Sequence, residues 1–233
     1  MLCFSEPSWL KDIRHPKQSA EEFAIALKAK INDIREDIKK GNPVTITVKK
    51  GSQELPDNYF KRTDKGQINL KEDKEIFVEY SDNLVIVIKS NTLFTACLAE
   101  LKKQKTWDIH AIVRDPLYTL LSWRSLNIPI SRGEIKIGEI YSAEIREIVK
   151  ETDILKRQIL IMNWFFVQFN KNKCNTIAYE QLLQEPTKIL KTILKQSIYV
   201  EMTLLSSNKL SNYKTENLNT IEKYINKYIE NTC

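Results

Sequence analysis

Leu84-Val-Ile-Val-Ile88 is an apolar run without alternation, followed at once by Lys89-Ser-Asn91. An alternating run exposes one face, whereas an unbroken one buries both, so this stretch reads as a central strand of a parallel sheet. Outward from it the pattern repeats. Residues 92–104 have helical spacing, with Thr92 as cap and Leu93, Cys97, Leu98 and Leu101 inward. Asp108–Val113 is the next buried strand, and Pro116 starts a helix running to about Leu126. Residues 142–169 read as helix, broken near Thr152-Asp153, and Thr176–Ala178 ends another short strand. Pro186 opens a helix with Ile189, Leu190, Ile193 and Leu194 inward, and the last helix carries Leu218, Ile221, Ile225 and Ile229. Strands alternating with helices mean an α/β fold with a mostly parallel sheet.

Upstream, residues 1–10 are semi-apolar and extended. Ser19-Ala-Glu-Glu22 is a capping box that starts a helix with Leu27, Ile31, Ile34 and Ile38 on one face, closed by Gly41. Residues 43–49 alternate as a strand. Residues 50–74 are polar and hold Gly51, Pro56 and Gly66, the composition of an insertion or hairpin, and Ile76–Tyr80 reads as a further strand. The whole of 1–233 reads as one domain.

Composition excludes several classes. The chain has 233 residues, 36 Lys+Arg against 30 Asp+Glu, and a formal charge of +6. The charges are interspersed, which describes a solvated surface rather than a nucleic-acid face. There is no run of 18 apolar residues and no basic stretch ahead of an apolar one at the N-terminus, so neither a membrane span nor a signal peptide is expected. Cys3, Cys97, Cys174 and Cys233 are far apart, which argues against structural zinc and a disulfide framework and suits the cytoplasm. His15 and His110 are the only histidines, and His110, inside a strand, reads as a core residue. Glycine occurs only 5 times, and phosphate-cradling loops need glycine. Gly133 and Gly138 have Walker A spacing, but Glu139 stands where lysine is required.

Ligands of parallel sheets bind at the carboxyl ends of strands. Those ends carry Lys89, Arg114 and Tyr179, and Ser122 lies two turns into the helix after Arg114. Two cations at neighbouring strand ends, each before a helix, make an anion site, and the guanidinium fork matches phosphate. An ion pair of Arg114 with Asp115 or a neighbour is the competing structural role.

Ile112-Val-Arg114-Asp-Pro116 followed by Ser122 resembles the 3′-phosphate-binding segment of sulfotransferases that use 3′-phosphoadenosine 5′-phosphosulfate, PAPS. Ile88-Lys89-Ser-Asn91 is similar to the family's lysine-containing strand end, often K-T-H. Tyr179-Glu-Gln-Leu-Leu and Pro186 resemble its Y-E-x-L…P segment. The resemblance covers about residues 1–195 and implies a P-loop-like three-layer fold with PAPS as co-substrate, no metal, and a small-molecule or glycan acceptor bearing a hydroxyl or amine. Arg114 and Ser122 would bind the 3′-phosphate, Tyr179 would lie near the adenine, and Lys89 would stabilise charge on the transferring group. Glu6, in a stretch similar to the Ser/Asp-Glu-Pro of bacterial relatives, would be the base if burial raises its pKa. Asn91 stands where many members have His. The family's strand–loop–helix with P-[RK]-[ST]-G-[ST]-T would precede Leu2, so the expected protein lacks the phosphosulfate loop. A catalytically inactive, truncated remnant or nucleotide-binding module is therefore the alternative, and a basic nucleic-acid-binding protein is a more distant one. Trp123 and the Trp164–Phe169 stripe read as core; Ser131-Arg132-Gly133 is a candidate substrate-side loop; Lys209 or Lys214 are the only candidates for the family's C-terminal phosphate segment.

Overall fold

The computed structural model describes residues 1–15, 17–51, 60–63, 66–69, 71–126, 128–195 and 218–229. Lys209 and Lys214 lie outside the described residues. The protein is mixed α/β with short parallel sheets. No helix among the described residues is long and apolar enough to cross a membrane. The sequence leads to one domain over 1–233; the chain divides into two compact units, Met1–Trp107 and Asp108–Cys233.

In the first unit, β1 (Leu2–Ser5) pairs in parallel with β6 (Ile86–Lys89), in the register Leu2↔Ile86 to Ser5↔Lys89. The decisive apolar run is thus a parallel strand, set two residues later than Leu84–Ile88. Among the described residues it has one hydrogen-bonded neighbour, and Ile86, Val87 and Ile88 are half-buried rather than enclosed on both faces. Between the two strands lies α1 (Ala20–Lys39), opened by the Ser19–Glu22 capping box, in which each side chain bonds the other residue's backbone N–H. Its buried stripe is Phe23, Leu27, Ile31, Ile34 and Ile38, and it packs on β2 and α3. β2 (Val44–Lys49) buries Val44, Ile46 and Val48 and pairs antiparallel with β5 (Lys71–Ile76). β3 (Phe60–Thr63) and β4 (Gly66–Asn69) form a hairpin inside the polar 50–74 stretch.

Two expectations fail here. The strand near residue 76 is Lys71–Ile76, not Ile76–Tyr80, and Phe77 is 79% exposed. Lys71-Glu-Asp-Lys-Glu has no apolar period of its own; its partner β2 supplies the buried face, and the Thr47 hydroxyl donates to Asp73 at 2.9 Å. The helix over 92–104 is two helices, α2 (Asn91–Ala96) and α3 (Leu98–Lys103), because Cys97 leaves helical geometry at φ −103°, ψ 10°. The N-cap is Ser90 rather than Thr92. Cys97 is buried at this joint, and burial pushes its thiol pKa up to about 12, with Glu100 adding to the rise. Cys97 should therefore resist thiol reagents at pH 8 in the folded protein and react only on unfolding. Labelling of Cys97 in native protein as fast as in urea would contradict this.

In the second unit, β7 (His110–Val113) pairs in parallel with β8 (Asn175–Ala178). Between them run α4 (Pro116–Arg124), α5 (Lys136–Tyr141), α6 (Ala143–Ile148) and α7 (Ile154–Lys171). The expected break near residue 152 is present, with Asp153 capping α7 by accepting from the Lys156 N–H. After β8 come α8 (Tyr179–Gln184), α9 (Pro186–Leu194) and, beyond the undescribed segment, α10 (Leu218–Tyr228). Leu120, Leu121, Ile159, Met162, Phe166 and Ile221 form the core of this unit, with Trp123 and Phe169 packed against it. β7 is not buried on both faces as expected, since Ile112 is 56% exposed.

Scarce glycine leaves a mark on helix ends. Gly41 closes α1 in the left-handed conformation, but Lys105, Lys173 and Lys195 occupy that conformation after α3, α7 and α9 with a Cβ in place. That geometry strains an L-residue. Lys105→Gly is expected to stabilise the protein by about 0.5–1 kcal/mol after the added chain entropy of glycine is counted. An unchanged or lower midpoint in urea would refute it.

Candidate functional site

The carboxyl end of the β1–β6 pair carries two of the predicted residues. Ser5 lies opposite Lys89, and the next residue, Glu6, donates its N–H to the Lys89 carbonyl at 2.7 Å. Glu6 has φ 46°, a left-handed conformation that costs a non-glycine residue roughly 1–2 kcal/mol and persists only where its surroundings dictate it. The bond to Lys89 supplies such a constraint, since it ties the Glu6 backbone to the end of β6. The carboxylate does not meet the expectation of burial. It is 47% exposed, and Lys71, from the start of β5, lies 3.6 Å from Oε2. Lys89 is exposed at the strand end, and its charge acts on the Cys3 thiol, whose pKa burial raises and Lys89 partly lowers. Asn91 is exposed as the first residue of α2.

The carboxyl end of the β7–β8 pair brings together two more. Val113 lies opposite Ala178, so Arg114 and Tyr179 leave adjacent parallel strands side by side. The Arg114 guanidinium stands 5.3 Å over the Tyr179 ring and 6.0 Å over the Tyr118 ring. The Asp115 carboxylate caps α4, accepting from the N–H groups of Leu117 at 2.8 Å and Tyr118 at 3.3 Å. The Asp115 N–H donates to Glu180 at 3.5 Å, which ties the two strand ends further. Ser122 is half-buried on α4, four residues beyond Tyr118 and therefore on the same helix face.

The Ser131–Gly133 segment is clamped from behind. Gln158, fully buried on α7, donates to the carbonyls of Ile130 and Ser131, each at 3.0 Å, and accepts from Arg124 of α4 at 3.1 Å. Arg157 donates to the Arg132 carbonyl at 2.7 Å and to that of Val149 at 3.2 Å. Trp164 and Phe166 are buried as expected for core, and the Trp164 indole N–H donates to Glu144. His110 opens β7, its Nε2 3.0 Å from Asp108 Oδ1. Among the described residues, no group of three or more His, Cys, Asp or Glu side chains is placed to hold a metal ion.

Glu6 and Lys89 thus share one strand-pair end, and Arg114 and Tyr179 share another, each pair in its own unit. Sequence reasoning passed over Lys71 and Tyr118. Nothing in the polar run around Lys71 marks it, whereas Tyr118 stands four residues from both Arg114 and Ser122. Compared with family models, curated proteins and solved structures, the chain matches none.

Proposed function

We propose that this chain is a sulfotransferase-like protein of P-loop-like architecture, acting on PAPS and a hydroxyl or amine acceptor. One observation supports it above the others: Arg114 and Tyr179, a phosphate-matching fork and a flat ring, emerge side by side from parallel strand ends. In this reading Arg114 and Ser122 take the 3′-phosphate and Tyr179 lies by the adenine. Lys89 neutralises charge on the transferring group, and Glu6 accepts the acceptor's proton as oxygen or nitrogen bonds to sulfur and the bond from sulfur to the 5′-phosphate oxygen breaks. A second reading, a nucleotide-binding module without transfer, draws on Glu6 itself, which is exposed and paired with Lys71 rather than buried.

Calorimetric titration of the purified chain with 3′,5′-ADP tests both. Micromolar binding lost in Arg114→Ala is the expected result, and incubation with PAPS and mixed acceptors then separates transfer from binding alone. A folded protein that does not bind the nucleotide would overturn both readings.

A further inference from the structure

Tyr118 and Ser122, four residues apart on α4, share a helix face, while Arg114 lies just after β7 and Tyr179 just after its partner strand β8. The guanidinium lies within about 6 Å of both ring centroids, the range in which an aromatic face attracts a cation. The two rings reach it from different elements, α4 and α8. The backbone that carries Tyr118 is held by the Asp115 cap, which accepts from its N–H at 3.3 Å. We propose that Tyr118 is a positioning residue: with Tyr179 it holds the Arg114 guanidinium by its ring face, so that the fork is set in one pose for a phosphate monoester. The ligand rests on the nucleotide reading above; the pose of the guanidinium before any ligand binds does not.

The role belongs to the ring, not the hydroxyl. Tyr118→Phe keeps the ring, whereas Tyr118→Leu keeps bulk and loses the π-face. In the full chain, the Arg114 Nε–H resonance of the free protein reads the pose through the ring currents, and titrations with 3′,5′-ADP and with inorganic phosphate read its use. Support requires a resonance displaced upfield in wild type and in Tyr118→Phe, moved toward the ordinary arginine position in Tyr118→Leu. It also requires phosphate affinity weakened roughly 3- to 10-fold in the leucine variant alone. An unmoved resonance in Tyr118→Leu, or equal affinity losses in Phe and Leu, would overturn the proposal even if the nucleotide binds. A protein that fails with 3′,5′-ADP, yet whose Arg114 resonance and phosphate affinity respond as stated, would overturn the nucleotide reading and leave the positioning role standing. Failure of both ligands to bind would end both.

Discussion

Gln158→Leu is expected to lower the unfolding free energy by roughly 2–4 kcal/mol, a drop of about 5–15 °C in Tm for a chain of this size. Gln158 is fully buried and serves three partners: the Arg124 guanidinium and the carbonyls of Ile130 and Ser131. Leucine fills a similar volume, so a cavity is not the main cost. The cost is desolvated polar groups, and one of them carries a charge. The Ile130 carbonyl keeps the Gly133 N–H at 2.9 Å, which limits the loss on that side. Adding Arg124→Leu to Gln158→Leu separates the share of the cost that belongs to the Arg124–Gln158 bond from the share that belongs to the two carbonyls. Urea denaturation of the two single variants and the double closes this cycle. A shift under about 1 kcal/mol in Gln158→Leu would mean that water or another partner serves those groups.

The parts of the fold that were legible in the sequence are those whose signal is local. The Ser19–Glu22 capping box and Gly41 bound α1 as read, because a cap is a matter of a few neighbouring residues. The Asp153 break and the Pro116 start are local in the same way. What failed depends on partners distant in sequence. Strand β5 is polar as far as Ile76 and is a strand only because Val44, Ile46 and Val48 across from it are buried. The joint at Cys97 interrupts an apolar period that by itself reads as continuous. Of the candidate site, the strand-end positions were legible, since a cation after an apolar run marks a carboxyl end. The environment of each was not. That Glu6 is exposed against Lys71 follows from where β5 begins, which its own residues do not announce. Tyr118 was readable in hindsight from its spacing, but nothing in the spacing says that a guanidinium lies over its ring.

The largest functional effect should fall on Arg114. If its fork takes the 3′-phosphate, Arg114→Ala removes up to two charge-assisted hydrogen bonds, and the affinity for 3′,5′-ADP should fall roughly 100- to 1,000-fold, about 2.7–4 kcal/mol. Lysine is not a substitute. It restores a charge but neither the planar fork nor the stacking on Tyr118 and Tyr179, so Arg114→Lys should recover only about a factor of 10. Ser122→Ala, which deletes one neutral donor, should cost about 5- to 10-fold. The decisive comparison is with 5′-AMP, which lacks the 3′-phosphate. Arg114→Ala should bring 3′,5′-ADP most of the way down to the affinity of 5′-AMP, short of it by what Ser122 still contributes, and leave 5′-AMP itself nearly unchanged, because the lost partner is absent from that ligand. Equal losses for both nucleotides would place Arg114 in the framework of the β7–β8 strand ends rather than at the 3′-phosphate. Salt separates the remaining possibility. A nucleic-acid surface loses affinity steeply, with a logarithmic slope of about −0.9 for each phosphate neutralised, and spreads the loss over many lysines. A single monoester held by one arginine gives a slope near one and a loss that one substitution accounts for.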